Sequence, residues 1–223
     1  MSQMLLVLAF LFAPWCAANA GITLDNLFPD PTSGMSVMQR QLSSSAWYAT
    51  PITTDGSDYT LTEVSAEIAD SNPAGTLFME VWTVGGPLDN YAPQTKIDRL
   101  FLVDANYPKV FTGNVSLSAN TSYFIVTGVD NGGGQWFEKI NFGDPFGPYF
   151  LVQSGSWSLS TIGVGTPQSL KSADFGATWT DGGALSAPLR MSITAMAVPE
   201  PSTWRLLGLG ILVLAGHALR RRV

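Results

Sequence analysis

Between residues 21 and 197 turn signals punctuate the chain. Asp55-Gly56, Asn72-Pro73-Ala74-Gly75, Gly85-Gly86-Pro87, Asn131-Gly132-Gly133-Gly134, Gly147-Pro148 and Asp181-Gly182-Gly183 stand between its apolar runs. These residues favour turns because they tolerate positive φ, fix φ, or bond their own backbone. The runs between them are rich in β-branched and aromatic residues and alternate in polarity. Tyr59 and Leu61, then Val64, Ala66 and Ile68, alternate with polar neighbours, and Leu77, Met79 and Val81 interleave with Phe78, Glu80 and Trp82. Stretches 97–103, 110–117, 123–129, 136–142, 149–152, 157–162, 175–179 and 189–195 continue the series. None carries an apolar stripe of 3.6-residue period, so they read as strands. The expected fold is all-β, a two-sheet antiparallel sandwich of jelly-roll-like form, with a barrel as the alternative. Residues 21–45 hold Asn26, Pro29, Asp30, Pro31, Gly34 and Ser43-Ser44-Ser45, and read as an irregular lead-in with one edge strand.

The two ends are of another kind. Met4 to Trp15 is almost wholly apolar, and Ala18-Asn19-Ala20 follows. An apolar run closed by Ala-x-Ala is the pattern of a signal peptide over residues 1–20. Signal peptidase would cut after Ala20, making Gly21 the first mature residue. Cys16, the only cysteine, would leave with the signal, so no disulfide and no thiolate metal site is expected. At the other end Val198-Pro199-Glu200-Pro201-Ser202-Thr203 precedes an apolar run ending at Leu219, then Arg220-Arg221-Arg222. The prolines stop any preceding strand, and Ser202 or Thr203 suits an N-cap. Residues 204–219 as a helix reach roughly 24 Å, a little under the hydrocarbon thickness, and snorkelling arginines can make up the rest. The Arg cluster should stay cytoplasmic and the body should lie outside. His217 lies in this tail and has no expected catalytic role.

Val198-Pro199-Glu200-Pro201-Ser202, a short apolar helix and the Arg220, Arg221, Arg222 cluster resemble the PEP-CTERM sorting signal of Gram-negative bacteria. The resemblance covers residues 198–223. It implies recognition by an exosortase, cleavage near Pro199-Glu200-Pro201, an inner-membrane-anchored precursor, a mature form at the cell surface or outside the cell, and association with exopolysaccharide. Within the body, Tyr59-Thr60-Leu61-Thr62-Glu63-Val64, the strand from Leu77 with Gly-Gly-Pro after it, and Leu117-Ser118-Ala119-Asn120-Thr121-Ser122-Tyr123 resemble the choice-of-anchor R domain. That implies a β-sandwich of exported bacterial proteins and no particular activity.

Residues 21–197 carry 7 Lys/Arg and 16 Asp/Glu, a balance of 7 − 16 = −9. Such a surface repels anionic polymers and argues against nucleic acid as a partner. Glycoside hydrolysis needs two carboxylates across a cleft. Glu63 and Glu67 share a face by even spacing, one expected to be wet, while Glu80 (near Trp82) and Glu138 (near Trp136) have aromatic neighbours. Glycan binding needs exposed rings beside amides or carboxylates. Trp47-Tyr48, Trp82, Trp157 and Trp179 are available, and the candidate platform is Asn131, Gln135, Trp136 and Tyr149. Asp55-Gly-Ser-Asp58, Asp70-Ser-Asn72 and Asp130-Asn131 are oxygen-rich turns that Ca²⁺ could use, though none is a full loop motif and no cofactor or other metal is expected. The reading is a non-enzymatic, exported surface or matrix protein. Its rival is a secreted carbohydrate-binding or carbohydrate-active module.

Overall fold

A computed structural model describes residues 21–27, 37–70, 75–85, 91–130, 136–141, 155–159, 169–181 and 188–198; of 136–141 it describes the backbone. Among these residues every regular element is a strand and every pairing is antiparallel, so the all-β expectation holds. The larger sheet has eleven strands. Along it run β1 (Gly21–Asp25), β14 (Met191–Ala197), β4 (Tyr59–Ala66), β8 (Lys109–Leu117), β7 (Ala92–Asp104), β6 (Thr76–Gly85), β9 (Ser122–Asp130), β3 (Trp47–Thr53), β12 (Leu170–Ser172) and β13 (Thr180–Asp181). β11 (Ser158–Leu159) pairs with β3 beside β12. β10 (Trp136–Asn141) is flanked by β2 (Val37–Leu42) and β5 (Ile68–Asp70) in a three-stranded sheet.

Local sequence explains the departures from plain alternation. Along β4 the buried set shifts from Tyr59 and Leu61 to Val64 and Ala66. The register on both flanking strands skips Thr62, a β-bulge that moves the apolar phase by one residue. β9 is buried on both faces, which is why Tyr123 to Val129 reads as one apolar run. β3 is also buried on both faces and contains Pro51, so it shows neither alternation nor a clean strand composition. Pro51 has no N–H to give, and it falls at the gap where the neighbour of β3 changes from β12 to β11. The lead-in over 21–45 holds two strands, β1 and β2, rather than one.

The larger sheet curls until it is nearly a barrel. β7 makes the corner: Leu100 and residues before it pair with β6, and Phe101, Leu102 and Asp104 pair with β8. Across the open side Trp157 N–H donates to the Thr23 carbonyl at 2.9 Å, tying the β11 segment to β1. Gly155 makes that approach possible. Its φ is +106°, and a Cβ there would stand 2.1 Å from the Thr23 carbonyl oxygen. The inner face packs Leu24, Ile52, Leu61, Val64, Met79, Phe111, Ile125, Trp157 and Ile193 into one core. At its rim the Arg190 guanidinium pairs with Glu67 at 2.7 Å, both nearly buried. Glu67 therefore lies past the end of β4 and under cover, which corrects the expectation of a wet face shared with Glu63.

β1 and β14 run antiparallel with Gly21 opposite Ala195. The chain thus enters and leaves this unit, Ala20–Ala197, at one end of the sheet.

Candidate functional site

The outer face of β3, β6 and β9 carries a second, separate cluster. Trp47 and Ala49 come from β3, Phe78 from β6, and Phe124 and Val126 from β9; Trp82, Val84, Leu170 and Trp179 pack against them. Trp47 meets Phe78 edge-on at 4.6 Å across β9, where Gly128 stands. A Cβ at Gly128 would be 2.6 Å from both rings, so only glycine lets them meet there.

An ionic group is set among these rings. Period-two alternation sends Glu80 to the same face as Phe78 and Trp82, and the β6–β7 register puts Arg99 opposite it. Glu80 is 1% exposed, and its carboxylate is fully engaged. Trp82 Nε1–H donates to Oε2 at 2.9 Å, Arg99 Nε to Oε1 at 2.8 Å, and Lys96 Nζ to Oε1 at 3.4 Å. Arg99 reaches on to Asp130 with Nη1 at 2.5 Å and Nη2 at 3.3 Å, and its guanidinium lies 4.4 Å over the Phe78 ring. Partial burial works to lower the Arg99 pKa, but hydrogen bonds and charge from Asp130 and Glu80 raise it, so it stays a cation.

Over the cluster lies the turn 172–179. The sequence suggests a strand over 175–179; the structure corrects this to a turn between β12 and β13. The reason is local: Ser172 and Asp174 offer the backbone a competing set of bonds. Ser172 Oγ donates to Asp174 at 2.8 Å and accepts from Gly176 N–H at 2.8 Å. Asp174 accepts from Thr178 N–H at 2.8 Å and Thr178 Oγ1–H at 2.6 Å. These bonds, from Thr178 first, hold the Asp174 carboxyl below its ordinary pKa. Gly176 rests against the Trp47 and Trp82 indoles, Trp179 meets Trp82 edge-on at 6.3 Å, and Phe175 meets Trp47 at 6.1 Å. Phe175 sits at φ +59° and is 60% exposed.

The tail of the body decides the other half of the question. β14 ends at Ala197 and Val198 is exposed, with Pro199-Glu200-Pro201 next in sequence. Residues 197–222 match the PEP-CTERM protein-sorting motif. The PEP-CTERM motif implies an exported protein, made as a membrane-anchored precursor and sorted to the cell surface by an exosortase. It begins on Ala197, the last residue of β14, an inner strand of the larger sheet. No curated protein matches the chain.

Of the residues singled out in sequence, Gly21 opens β1 and Val198 follows β14. Ala18, Ala20, Pro199, Glu200, Pro201, Ser202, Arg220, Arg221 and Arg222 lie outside the described residues, as does the apolar run 204–219. So do Asn131, Gln135 and Tyr149; Trp136 starts β10 opposite Leu42 and Asp70, and Glu138 lies opposite Arg40 and Ile68. Trp47, Tyr48 and Trp157 are buried, leaving Trp82 and Trp179 half-buried. The oxygen-rich turn at Asp55 spends its carboxylate on Ser57 N–H at 3.1 Å and Tyr59 O–H at 2.9 Å, while Asp58 accepts from Ala119 N–H at 2.8 Å. Burial works to raise the Asp55 pKa; hydrogen bonds from Ser156, Tyr59 and Ser57 bring it below the ordinary value. Among the described residues no three His, Cys, Asp or Glu side chains gather as a metal would need. Sequence reasoning missed Arg99, Lys96 and Phe175. The pairing of Glu80 with Arg99 depends on hairpin register, and only the alternation Phe78-Glu80-Trp82 hinted at a charged residue amid rings.

Proposed function

We propose that this is a non-enzymatic surface or extracellular-matrix protein, exported through a signal peptide over residues 1–20, held by a helix over 204–219, and passed to an exosortase. The body serves as a stable jelly-roll-like block displayed in an exopolysaccharide setting. The observation that carries the reading is the join between body and motif. The motif starts where β14 ends, and β14 is an inner strand between β1 and β4. The non-enzymatic reading is supported by Glu80, a carboxylate 1% exposed and held by Trp82, Lys96 and Arg99, so it is not open to a substrate.

The test is replacement of Glu200 by Ala in the producing cell. The expected result is loss of surface delivery, with unprocessed chain collecting in the inner-membrane fraction. Normal maturation of that variant would sink the sorting assignment and leave a plain membrane anchor.

A further inference from the structure

We infer that the outer-face strip formed by Phe175, Trp82 and Trp179, with Lys96 beside it, binds a neutral polysaccharide. The proposal deepens the matrix reading above by giving the body a ligand class and a place to hold it.

Packing alone does not account for Phe175. Its backbone lies in the left-handed region, which is strained for a residue other than glycine or asparagine. The residue is 60% exposed, with Trp47 as its one ring contact among the described residues, so burial does not offset that strain. The turn that holds it is nonetheless rigidly built by Ser172, Asp174 and Thr178. The turn therefore fixes an apolar ring in water at a set position. Gly176 joins that ring to the next two, since it touches both Trp47 and Trp82, and Trp179 extends the strip from Trp82.

The polar groups at the margin suit hydroxyls. Lys96 is 49% exposed and only 3.4 Å from Glu80, so its ammonium has donors to spare. Asp130 is 34% exposed and can accept beside its bonds to Arg99. A sugar ring presents a C–H face for stacking and equatorial hydroxyls for these groups. Charge selects the neutral class. Glu80 and Asp130 cancel Lys96 and Arg99 locally, and the −9 balance of residues 21–197 repels a polyanion.

The full-length chain in mild detergent should be run through native gels containing barley β-glucan, galactomannan or xyloglucan, with alginate as the anionic comparison. At least one neutral polymer should retard it, and alginate should not. Phe175→Gly should weaken retention about tenfold while the melting temperature stays level or rises, because glycine relieves the left-handed strain. Trp179→Ala should weaken it by a similar factor, and Val103→Ser, a change at an exposed position on β7, should leave it intact. The proposal is overturned if no neutral polymer retards the wild type, if alginate alone does, or if retention survives in both Phe175→Gly and Trp179→Ala. It is equally overturned if both variants lose their near-ultraviolet circular dichroism along with retention, for then the rings are packing residues. Surface delivery plays no part in this assay, so failure of the sorting test and failure of this one are told apart.

Discussion

The two faces of strands β3, β6 and β9 bury apolar side chains by different means. Inward, Ile52, Leu77, Met79, Val81, Ile125 and Val129 meet the opposite wall of a nearly closed sheet. Outward, rings lie under one short turn with an ion group among them, and Phe175 is largely exposed. The inner face is sealed by the fold's own closure, whereas the outer face is covered only by a loop, and covered incompletely. Exposed surface of that kind is where binding groups can be placed at little risk to the core.

The contrast can be broken most strongly from within. Phe111 is fully buried in the inner core, and Phe111→Ala should cost about 4 kcal/mol in chemical denaturation. A loss under about 1 kcal/mol would show that the inner wall is loosely filled and the contrast false. Closure is tested next. Gly155→Ala forces a Cβ into the Thr23 carbonyl at a φ that alanine avoids, and should cost about 3 kcal/mol. Amide exchange in β1 should speed up with it, since Trp157 N–H would no longer hold Thr23. Arg99→Ala should come third, at about 2 kcal/mol, because it leaves Glu80 with Lys96 at 3.4 Å as its one cation. Combining it with Glu80→Gln should recover part of that loss, and strictly additive effects would mean that the pair is not coupled.

How much of this could be read beforehand follows from period and register. The inner face was legible because alternation reports burial on one side, as in Leu77, Met79 and Val81. β3 was not, because burial on both faces erases alternation and Pro51 argues against a strand. Phe175 and Trp179 read as strand because aromatic residues favour strands; the Ser172 and Asp174 side chains override that preference with bonds only a folded turn makes. The ion group was half legible. Glu80 stood out among aromatic neighbours, but Arg99 lies 19 positions on, and only the β6–β7 register brings the two together. The sorting motif needed no fold at all, because its recognition depends on short local sequence and a run of apolar residues.

The smallest expected effect is also the most selective for the outer face. Asp174 bonds Thr178 and Ser172, and its carboxyl is held below the ordinary value of 3.8. Its folded-state pKa is thus lower than its unfolded one, so the ionised form favours the folded turn. That contribution is complete above the unfolded value and fades as pH falls through the folded one. Acidification from about pH 4 downward should therefore loosen the 172–179 turn before it disturbs the core. Tryptophan emission from Trp47, Trp82 and Trp179 should shift to the red in that range while far-ultraviolet circular dichroism holds. Asp174→Asn keeps the shape and can still accept through its amide oxygen, but it has no proton to take up. In that variant the acid-dependent shift should vanish, leaving emission flat across the range. A shift of unchanged size would place the titrating group elsewhere and would mean that the turn is held by its rings rather than by its carboxylate.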